Sequence, residues 1–233
     1  MESYVITIKT SKNSQGAADN CIKSILKFHN NLKVEKFFGY TPKDDPQEMF
    51  DRYQYPSKSF RDQYSRAENA MAAFLSHHKL WKYSVKSNKP IFIFEHDAEL
   101  YNPLPISSHY NEQKKKFDGS VTPLLGNIVN LGHPSYGNWN IPSNIGINPL
   151  TTKQYFPGAH AYFIRPAGAK MLVDKAKEAA APTDVYINNI NFKGLQEWFP
   201  FCAAARDKFS TIQKLEGCRA KHGFVGGYKL VKV

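Results

Sequence analysis

The chain contains no long hydrophobic run and few cysteines, and these absences narrow its class. No apolar run in the 233 residues approaches the roughly 18 to 20 residues needed to cross a bilayer. Residues Met1–Ile8 lack the basic flank and long apolar region of a signal peptide, so we expect them to open with a strand. The three cysteines show no CxxC spacing, which favours free thiols in a reducing compartment and gives no zinc signature. The sequence therefore predicts a cytoplasmic protein.

Three sequence signatures of common folds are also missing. No G-x-x-x-x-G-K-[ST] is present, which excludes a P-loop protein, and no G-x-S-x-G is present, which excludes the nucleophile elbow of an α/β-hydrolase. No G-x-G-x-x-G follows the first apolar stretch, which argues against a dinucleotide-binding Rossmann domain. The assignment must therefore rest on other residues.

The chain is rich in apolar and basic residues, which indicates a folded protein with anionic partners. Hydrophobic residues make up 42% and aromatic residues 14% of the sequence, which is typical of globular rather than disordered proteins. Lysine and arginine number 31 against 20 acidic residues, so the net charge is +11. This balance favours nucleotide phosphates, an anionic membrane surface, acidic glycans or nucleic acid as partners. Because the basic residues are spread along the chain, a nucleic-acid partner is disfavoured.

The order of the apolar patterns predicts an α/β protein. Short apolar or β-branched runs indicate strands, and apolar residues spaced three and four apart indicate helices. The predicted strands lie at 4–9, 34–38, 91–94, 124–131 and 158–164. The predicted helices lie at 19–28, at 66–86, after Pro166 and from Thr183, and the helix after Pro166 is expected to turn Met171, Leu172 and Ala176 inward. The stretch 101–123 is expected to be irregular, and 132–154 to form a flexible loop or lid. We expect residues 1–233 to form one Rossmann-like α/β domain with a mostly parallel sheet, including a basic, glycine-containing tail from about residue 213.

Two carboxylates follow the most apolar of the predicted strands. The run Ile91–Phe94 leads directly into Glu95, His96 and Asp97. Carboxylates are costly to bury, and open α/β folds bind ligands at the carboxyl ends of their strands. The two-residue alternation of a strand places Glu95 and Asp97 on one side and His96 on the other. Two hard oxygen ligands on one side suit Mg²⁺ or Mn²⁺ holding a phosphate, although surface carboxylates after a strand are also common.

A histidine pair on the predicted helix 66–86 raises the question of zinc. Adjacent His77 and His78 point about 100° apart on a helix and cannot easily face one ion. Zinc-binding helices space their histidines four residues apart, with a glutamate between them. The favoured interpretation is therefore a histidine that faces the site and bonds a phosphate or a loop carbonyl.

Four segments carry a family resemblance and occur in this order along the chain: Phe74–Lys82 with its Ser-His pair and Trp81, Phe94–Ala98, Gly158–Ala169 and Pro182–Ile187. Taken together, they resemble glycosyltransferase family 25, which includes lipooligosaccharide and collagen galactosyltransferases. Phe94–Ala98 lies where that family carries Leu-Glu-Asp-Asp-Ala, with His96 in place of the middle acid. Asn127 stands nearest to a further family Asp, and Thr7-Ile8 replaces the family's Asn-Leu near the first strand. A weaker fifth match is Ser210-Thr211-Ile212.

The resemblance implies a GT-A fold, in which a nucleotide-sugar-binding α/β sheet carries an Asp-Xaa-Asp-type metal site at a strand end. It implies transfer of galactose or glucose from a UDP-sugar to a glycan or other hydroxyl acceptor, with inversion, as in LPS or lipooligosaccharide synthesis. Asp97, with Glu95, is then expected to bind Mn²⁺ or Mg²⁺. Asp184 matches the family's Pro-x-Asp position and is expected to act as the base, with a plain helix N-cap as the alternative.

The remaining candidate residues are assigned to the donor or the acceptor. His160 is expected to bond the sugar or acceptor, with a buried structural histidine as the alternative. Tyr136 and Trp139, on the expected lid, are expected to stack on a sugar face, with hydrophobic plugs as the alternative. The expected donor-side residues are Thr7, Lys9, Ser76, His77 and His96.

Other interpretations of the sequence remain open. A catalytically degenerate glycan-binding or interaction protein on the same fold is favoured by His96 and by the altered first strand, and it predicts no metal-dependent UDP binding. A nucleic-acid-binding protein predicts an affinity that falls steeply with salt and no preference for UDP-sugars. The basic charge also leaves open a peripheral position at an anionic membrane that carries glycolipid acceptors.

Overall fold

A seven-stranded sheet lies at the centre of the protein. The computed structural model describes residues 1–63, 66–111, 116–121, 126–134 and 138–206. The strand order is β2-β1-β3-β9-β7-β10-β8, and β8 and β9 run opposite to the other five strands. The predicted mostly parallel α/β sheet is thus confirmed. The strands are β1 (Glu2–Thr7), β2 (Lys33–Phe38), β3 (Ile91–Glu95), β7 (Ile128–Asn130), β8 (Gly146–Pro149), β9 (Ala161–Ile164) and β10 (Gln196–Phe199).

Two smaller sheets and the helices complete the fold. β4 (Ala98–Leu100) pairs with β11 (Ala203–Ala205), and β5 (Ile106–Asn111) pairs with β6 (Lys116–Val121). A 3-10 turn spans Pro42–Asp44. Among these described helices, none has both the length and the hydropathy that a membrane span requires. The helices are α1 (Lys12–Phe28), α2 (Pro46–Tyr53), α3 (Lys58–Gln63), α4 (Ala67–Ser87), α5 (Pro166–Ala179) and α6 (Thr183–Tyr186).

The sheet separates two hydrophobic cores, as the alternation of its strands requires. On β1, Tyr4 faces one core and Val5 faces the other. The first core packs against α4, α5 and α6, and includes Trp81 and Tyr162. The second core packs against α1, which contributes Ala18, Cys21 and Ile25. Helices α1 and α4 therefore cover opposite faces of the sheet.

This placement creates a switch point beside β1. The chain leaves β1 through α1 to reach β2 on one side, and it returns through α4 to β3 on the other side. In open α/β sheets a crevice opens where successive crossover helices lie on opposite faces, outside the carboxyl ends of the strands. Here that crevice lies at the carboxyl ends of β1 and β3. The residues that follow Ile6 on β1 and Phe94 on β3 therefore border it.

Four expectations about local structure need correction. Helix α1 begins at Lys12 rather than at residue 19, because the hydroxyl of Ser11 accepts a hydrogen bond from the Ser14 N–H at 3.2 Å and caps it. The stretch 101–123, expected to be irregular, contains β5 and β6, and the stretch 132–154 contains β8. Met171, expected to face inward on the helix after Pro166, is 38% exposed. The glycine-containing tail from about residue 213 and Ser210-Thr211-Ile212 lie outside the described residues.

Candidate active site

The carboxyl ends of β1 and β3 lie side by side in the crevice, where Ile6 is in register with Glu95. Thr7, which ends β1, is 1% exposed, and its hydroxyl donates a hydrogen bond to the carbonyl of Val5 at 3.0 Å. Lys9 follows at the surface, and its ammonium lies 5.8 Å from the centroid of the Phe38 ring. Of these two expected donor-side residues, Lys9 is thus the accessible one.

Ser76 fastens the loop after β2 to helix α4. Its hydroxyl donates to the carbonyl of Ala72 at 2.7 Å and accepts from the N–H of Tyr40 at 2.9 Å. The Ser76 hydroxyl lies so close to Gly39 that a Cβ on residue 39 would approach it to 2.6 Å. Ser76 therefore acts on the chain that leaves β2, and Gly39 is the residue that allows the contact.

A buried hydrogen-bonded chain ends on Glu95. The Trp81 indole N–H donates to the Tyr162 hydroxyl at 2.8 Å, and that hydroxyl lies 2.9 Å from Nδ1 of His77. Nε2 of His77 lies 3.2 Å from Oε1 of Glu95. Trp81, Tyr162 and His77 are each at most 1% exposed, whereas the Glu95 side chain is 33% exposed. The chain therefore runs from the core to the edge of the crevice.

Burial keeps the inner members of this chain uncharged. It lowers the pKa of His77 to about 3, although the nearby charge of Asp184 acts in the opposite direction. Burial also raises the pKa of Tyr162 well above its usual value. Both effects follow from the cost of placing a charge in an apolar environment. At neutral pH the His77 imidazole is therefore neutral.

Asp97 lies in a turn rather than on an extension of β3. The strand ends at Glu95, and His96 and Asp97 form the turn that leads into β4. The expected alternation of Glu95, His96 and Asp97 therefore does not apply, because it needs an extended backbone. Glu95 contacts His77 of α4, whereas Asp97 lies near Cys21 of α1. The pKa of the Cys21 thiol is raised mainly by its burial and further by the charge of Asp97. The backbone carbonyl of Asp97 accepts a hydrogen bond from the Arg206 N–H at 3.0 Å.

A cavity of about 460 Å³ lies between the first half of α1 and the segment that follows β3. Its lining includes Asp97 and two basic residues, Lys12 and Arg206. The guanidinium of Arg206 forms an ion pair with Glu99. Lys12 is the first residue of α1, whose N-terminal end carries a partial positive charge and no acidic side chain in its first turn. The other lining residues are Asn13, Gly16, Ala17, Asn20, Cys21, Ala98 and Glu99.

Asp184 lies near the histidine that holds Glu95. It is half-buried in the short helix α6, and its charge reaches His77. The alternative of a plain N-cap is wrong for this helix, because its N-cap residue is Pro182 and no side chain caps it. The Asp184 carboxylate instead accepts a hydrogen bond from the Val185 N–H at 3.0 Å. His77 thus lies within reach of two carboxylates, one from β3 and one from α6.

His160 is buried, whereas Trp139 is half-buried among aromatic rings. His160 is 2% exposed, and its imidazole approaches the Ala203 carbonyl at 3.4 Å, while its own carbonyl accepts from the Glu95 N–H at 2.9 Å. A Cβ on Gly132 would lie 2.6 Å from the His160 ring. Trp139 is half-buried and packs edge-on against His133 and Phe201. Tyr136 lies outside the described residues.

Comparison with known proteins assigns this fold to a family. The family whose model matches is described as "Glycosyltransferase family 25 (LPS biosynthesis protein)", and the match spans residues 1–187, more than half of the chain. The chain belongs to glycosyltransferase family 25. The protein is therefore a glycosyltransferase, and the family places it in LPS biosynthesis, with a sugar donor and a glycan acceptor. No curated protein matches the chain.

The strand-end residues of this glycosyltransferase suit a metal that is shared with a phosphate. Within the described part of the chain, no three or more His, Cys, Asp or Glu side chains are grouped to hold a metal ion. Mg²⁺, however, is commonly bound by one or two carboxylates while substrate phosphates and waters supply the other oxygens. Asp97 and Glu95, both half-buried at the crevice, provide hard oxygen ligands of this kind. Carboxylate oxygens suit a metal that is shared with a phosphate, and the described residues do not offer an all-protein cage.

Several residues at the site of this glycosyltransferase escaped the sequence-based prediction. Lys12 lies in the first turn of α1, a helix that the apolar spacing predicted to begin only at residue 19. Arg206 directly follows β11 and lines the same cavity. Tyr162 was part of the matched segment Gly158–Ala169 but had no assigned role. Only the cap signal of Ser11 ahead of Lys12 was available in the sequence, because the other contacts join residues that are far apart along the chain.

Proposed function

We propose that this glycosyltransferase transfers a hexose, galactose or glucose, from a UDP-sugar to a hydroxyl group of a glycan or glycolipid. The observation that carries the proposal is the cavity that Asp97 lines together with the basic residues Lys12 and Arg206 at the N-terminal end of α1. Basic side chains and helix N-termini favour bound phosphate groups. The position of the cavity beside the ends of β1 and β3 matches the ligand site of open α/β folds.

The donor would lie along the ends of β1, β2 and β3. In this arrangement Lys12 and Arg206 neutralise the diphosphate, and Lys9 lies toward the nucleotide base. Ser76 and Thr7 hold backbone near the donor through their own hydrogen bonds. The donor side is completed by His96 in the turn and by His77, which contacts Glu95.

Asp97, together with Glu95, would hold Mn²⁺ or Mg²⁺ against the diphosphate. A metal bound there stabilises the negative charge that develops on the UDP leaving group. The protein residues carry the rest of the chemistry. Lys12, Arg206 and the end of α1 add positive potential on the same side of the donor.

Asp184 is the proposed base for transfer with inversion. The acceptor oxygen attacks the anomeric carbon from the side opposite UDP, the new carbon–oxygen bond forms as the bond to the diphosphate breaks, and the acceptor proton passes to the Asp184 carboxylate. Its charge acts on His77, which contacts Glu95, and this supports the assignment. Trp139 would contact the acceptor or sugar, as would Tyr136. His160 faces the Ala203 carbonyl in a buried position, so its contribution to sugar binding would be through the backbone it supports.

Ligand-induced thermal stabilisation tests the donor and the metal. The unfolding midpoint is measured with UDP, UDP-galactose and UDP-glucose, with and without Mn²⁺, for the wild type and for Asp97→Asn. Binding to the folded state raises the midpoint by mass action. We expect a Mn²⁺-dependent rise with one UDP-sugar that is lost in Asp97→Asn. Asp174→Asn is a matched control, because Asp174 pairs with Lys170 on the exposed face of α5.

The outcomes separate the proposal from its alternatives. A wild type that shows no rise with any uridine nucleotide contradicts the UDP-sugar proposal and favours a catalytically degenerate glycan-binding module. A rise that persists in Asp97→Asn contradicts the metal assignment alone. Binding that prefers nucleic acid to UDP-sugars and weakens steeply with salt would favour the nucleic-acid alternative.

An anionic membrane surface is the proposed location of a glycolipid acceptor. The net charge of +11 favours such a surface. In addition, Ile141 and Ile145 are 72% and 85% exposed on the loop before β8. Asn140 ties this loop to the Thr152 carbonyl at 3.1 Å, so its apolar residues are presented from a fastened segment. Exposed apolar side chains on a protein of net positive charge are typical of interfacial contact.

Vesicle sedimentation tests the membrane proposal. We expect the protein to bind vesicles that contain phosphatidylglycerol more tightly than vesicles of phosphatidylcholine alone, and the double variant Ile141→Ser, Ile145→Ser to bind less. Met171→Ser, which removes an exposed apolar side chain from α5, serves as the control. Equal binding by the double variant and the wild type would exclude this loop as the contact.

A further inference from the structure

The hydrogen bonds that link four side chains and end on Glu95 all donate in the same direction. Trp81 can only donate through its indole nitrogen, so the Tyr162 oxygen accepts from it at 2.8 Å. The hydroxyl proton of Tyr162 is then available to Nδ1 of His77, 2.9 Å away. Because Nδ1 accepts, the proton of the neutral imidazole resides on Nε2. That N–H faces Oε1 of Glu95 at 3.2 Å.

The same geometry is unfavourable in the other tautomer. A proton on Nδ1 would turn the bare Nε2 lone pair toward the Glu95 carboxylate, which also offers only lone pairs when ionised. Trp81, Tyr162 and His77 are at most 1% exposed, so solvent does not offer them other partners. The packing therefore selects one tautomer. A carboxylate can accept several hydrogen bonds, so the bond from His77 leaves Glu95 able to contact a ligand.

We infer that His77 is a positioning residue that orients the Glu95 carboxylate toward the donor site, and that Tyr162 and Trp81 fix the His77 tautomer that can do so. This inference rests on the proposed function, in which Glu95 contributes to the site that holds a metal against the diphosphate. Partners that orient a metal ligand commonly change metal affinity or activity by about 10–100-fold when they are replaced. His77 acts through Glu95 and needs no contact of its own with the substrate.

Two substitutions at one position test the inference. In His77→Gln the side-chain amide nitrogen reaches approximately the position of Nε2, whereas in His77→Asn it reaches only that of Nδ1. Each variant is titrated with Mn²⁺ in the presence of UDP, with free Mn²⁺ followed by electron paramagnetic resonance, and kcat and KM are measured separately. We expect Mn²⁺ affinity and kcat to fall by about 10–100-fold in His77→Asn and by much less in His77→Gln.

A neighbouring histidine provides the matched control. His78 is 3% exposed on the same helix, and its Nε2 contacts the Tyr55 hydroxyl at 2.8 Å. His78→Gln and His78→Asn should lower the unfolding midpoint without separating the two variants in Mn²⁺ affinity. Equal Mn²⁺ affinity and equal kcat in His77→Gln and His77→Asn would mean that His77 is only structural, and would overturn the inference.

A double-mutant cycle keeps this test separate from the test of the proposed function. If His77 acts through Glu95, adding His77→Asn to Glu95→Ala should lower kcat and Mn²⁺ affinity no further. A further loss in the double variant would overturn the inference. If the wild type binds neither UDP nor Mn²⁺, the proposed function fails, and the cycle is then read from unfolding midpoints. In that case additive changes would overturn the pairing, and non-additive changes would support it.

Discussion

Replacing Tyr162 with Phe removes one oxygen atom from the core, and we expect it to destabilise the protein more than the same change at other buried tyrosines. That oxygen accepts from the Trp81 N–H at 2.8 Å and contacts Nδ1 of His77 at 2.9 Å. Without it, a buried donor and a buried acceptor both lose their partner. The phenyl ring keeps its packing, including the contact with Phe156 at a centroid distance of 6.0 Å.

The expected cost follows from the number of groups that lose a partner. A buried polar group without a hydrogen bond costs about 1–3 kcal/mol, so two such groups at about 2 kcal/mol each give about 4 kcal/mol. In a domain of this size each kcal/mol lowers the midpoint by about 2–4 °C. The midpoint of Tyr162→Phe should therefore fall by about 8–16 °C.

Urea denaturation followed by circular dichroism measures the free energy of unfolding for this variant. Tyr186→Phe is the matched control, because Tyr186 is also buried and, among the described residues, its hydroxyl bonds the Leu172 carbonyl alone. The control should cost about 1 kcal/mol, since a single hydrogen bond is lost. If Tyr162→Phe costs no more than Tyr186→Phe, with unchanged dependence on urea, the reasoning about the buried chain is refuted.

Three further predictions concern catalysis, packing and pH. Asp184→Asn should lower kcat by about 10²–10⁴-fold while the thermal shift with Mn²⁺ and UDP-sugar is retained, and loss of that shift would argue for a binding role instead. Gly132→Ala should cost about 1–3 kcal/mol in urea denaturation, because the new Cβ would lie 2.6 Å from the His160 ring, whereas an unchanged midpoint would mean that the ring moves freely. Burial lowers the pKa of His77 to about 3 and that of His78 to about 4. As the pH falls, these two histidines therefore take up protons in the unfolded chain before they do so in the folded protein. The stability they contribute should be complete above about pH 6.5 and should be lost as the pH falls toward 4, and His78→Gln should weaken this dependence.

Local patterns were sufficient to predict the elements that carry the site. The apolar run at 91–94 is found as β3 (Ile91–Glu95), and the periodic stretch 66–86 is found as α4 (Ala67–Ser87). Both elements are buried and regular, so their sequence period reflects their surroundings directly. The family resemblance drew on the same segments, and the match to residues 1–187 confirms it.

Contacts between distant segments could not be predicted in this way. His77 and Tyr162 lie 85 positions apart, and no local pattern indicates that their side chains meet. The expected pairing of Glu95 with Asp97 assumed that the strand continues, whereas the backbone turns at His96. The polar segments of β5 and β6 lack the apolar alternation by which strands are recognised.

The adjacent residues Ser76 and His77 of helix α4 hold both sides of the crevice beside β1. Ser76 holds Tyr40, just beyond β2, and His77 holds Glu95, at the end of β3. β2 and β3 flank β1, so the two walls on either side of the β1 terminus are fastened to a single helical turn. A small rotation of that turn would shift both walls together and leave their spacing nearly unchanged. Attempts to change the accepted sugar by redesign should therefore keep this dipeptide and Lys12, and should alter Asn13, which lines the cavity from a different helix, α1.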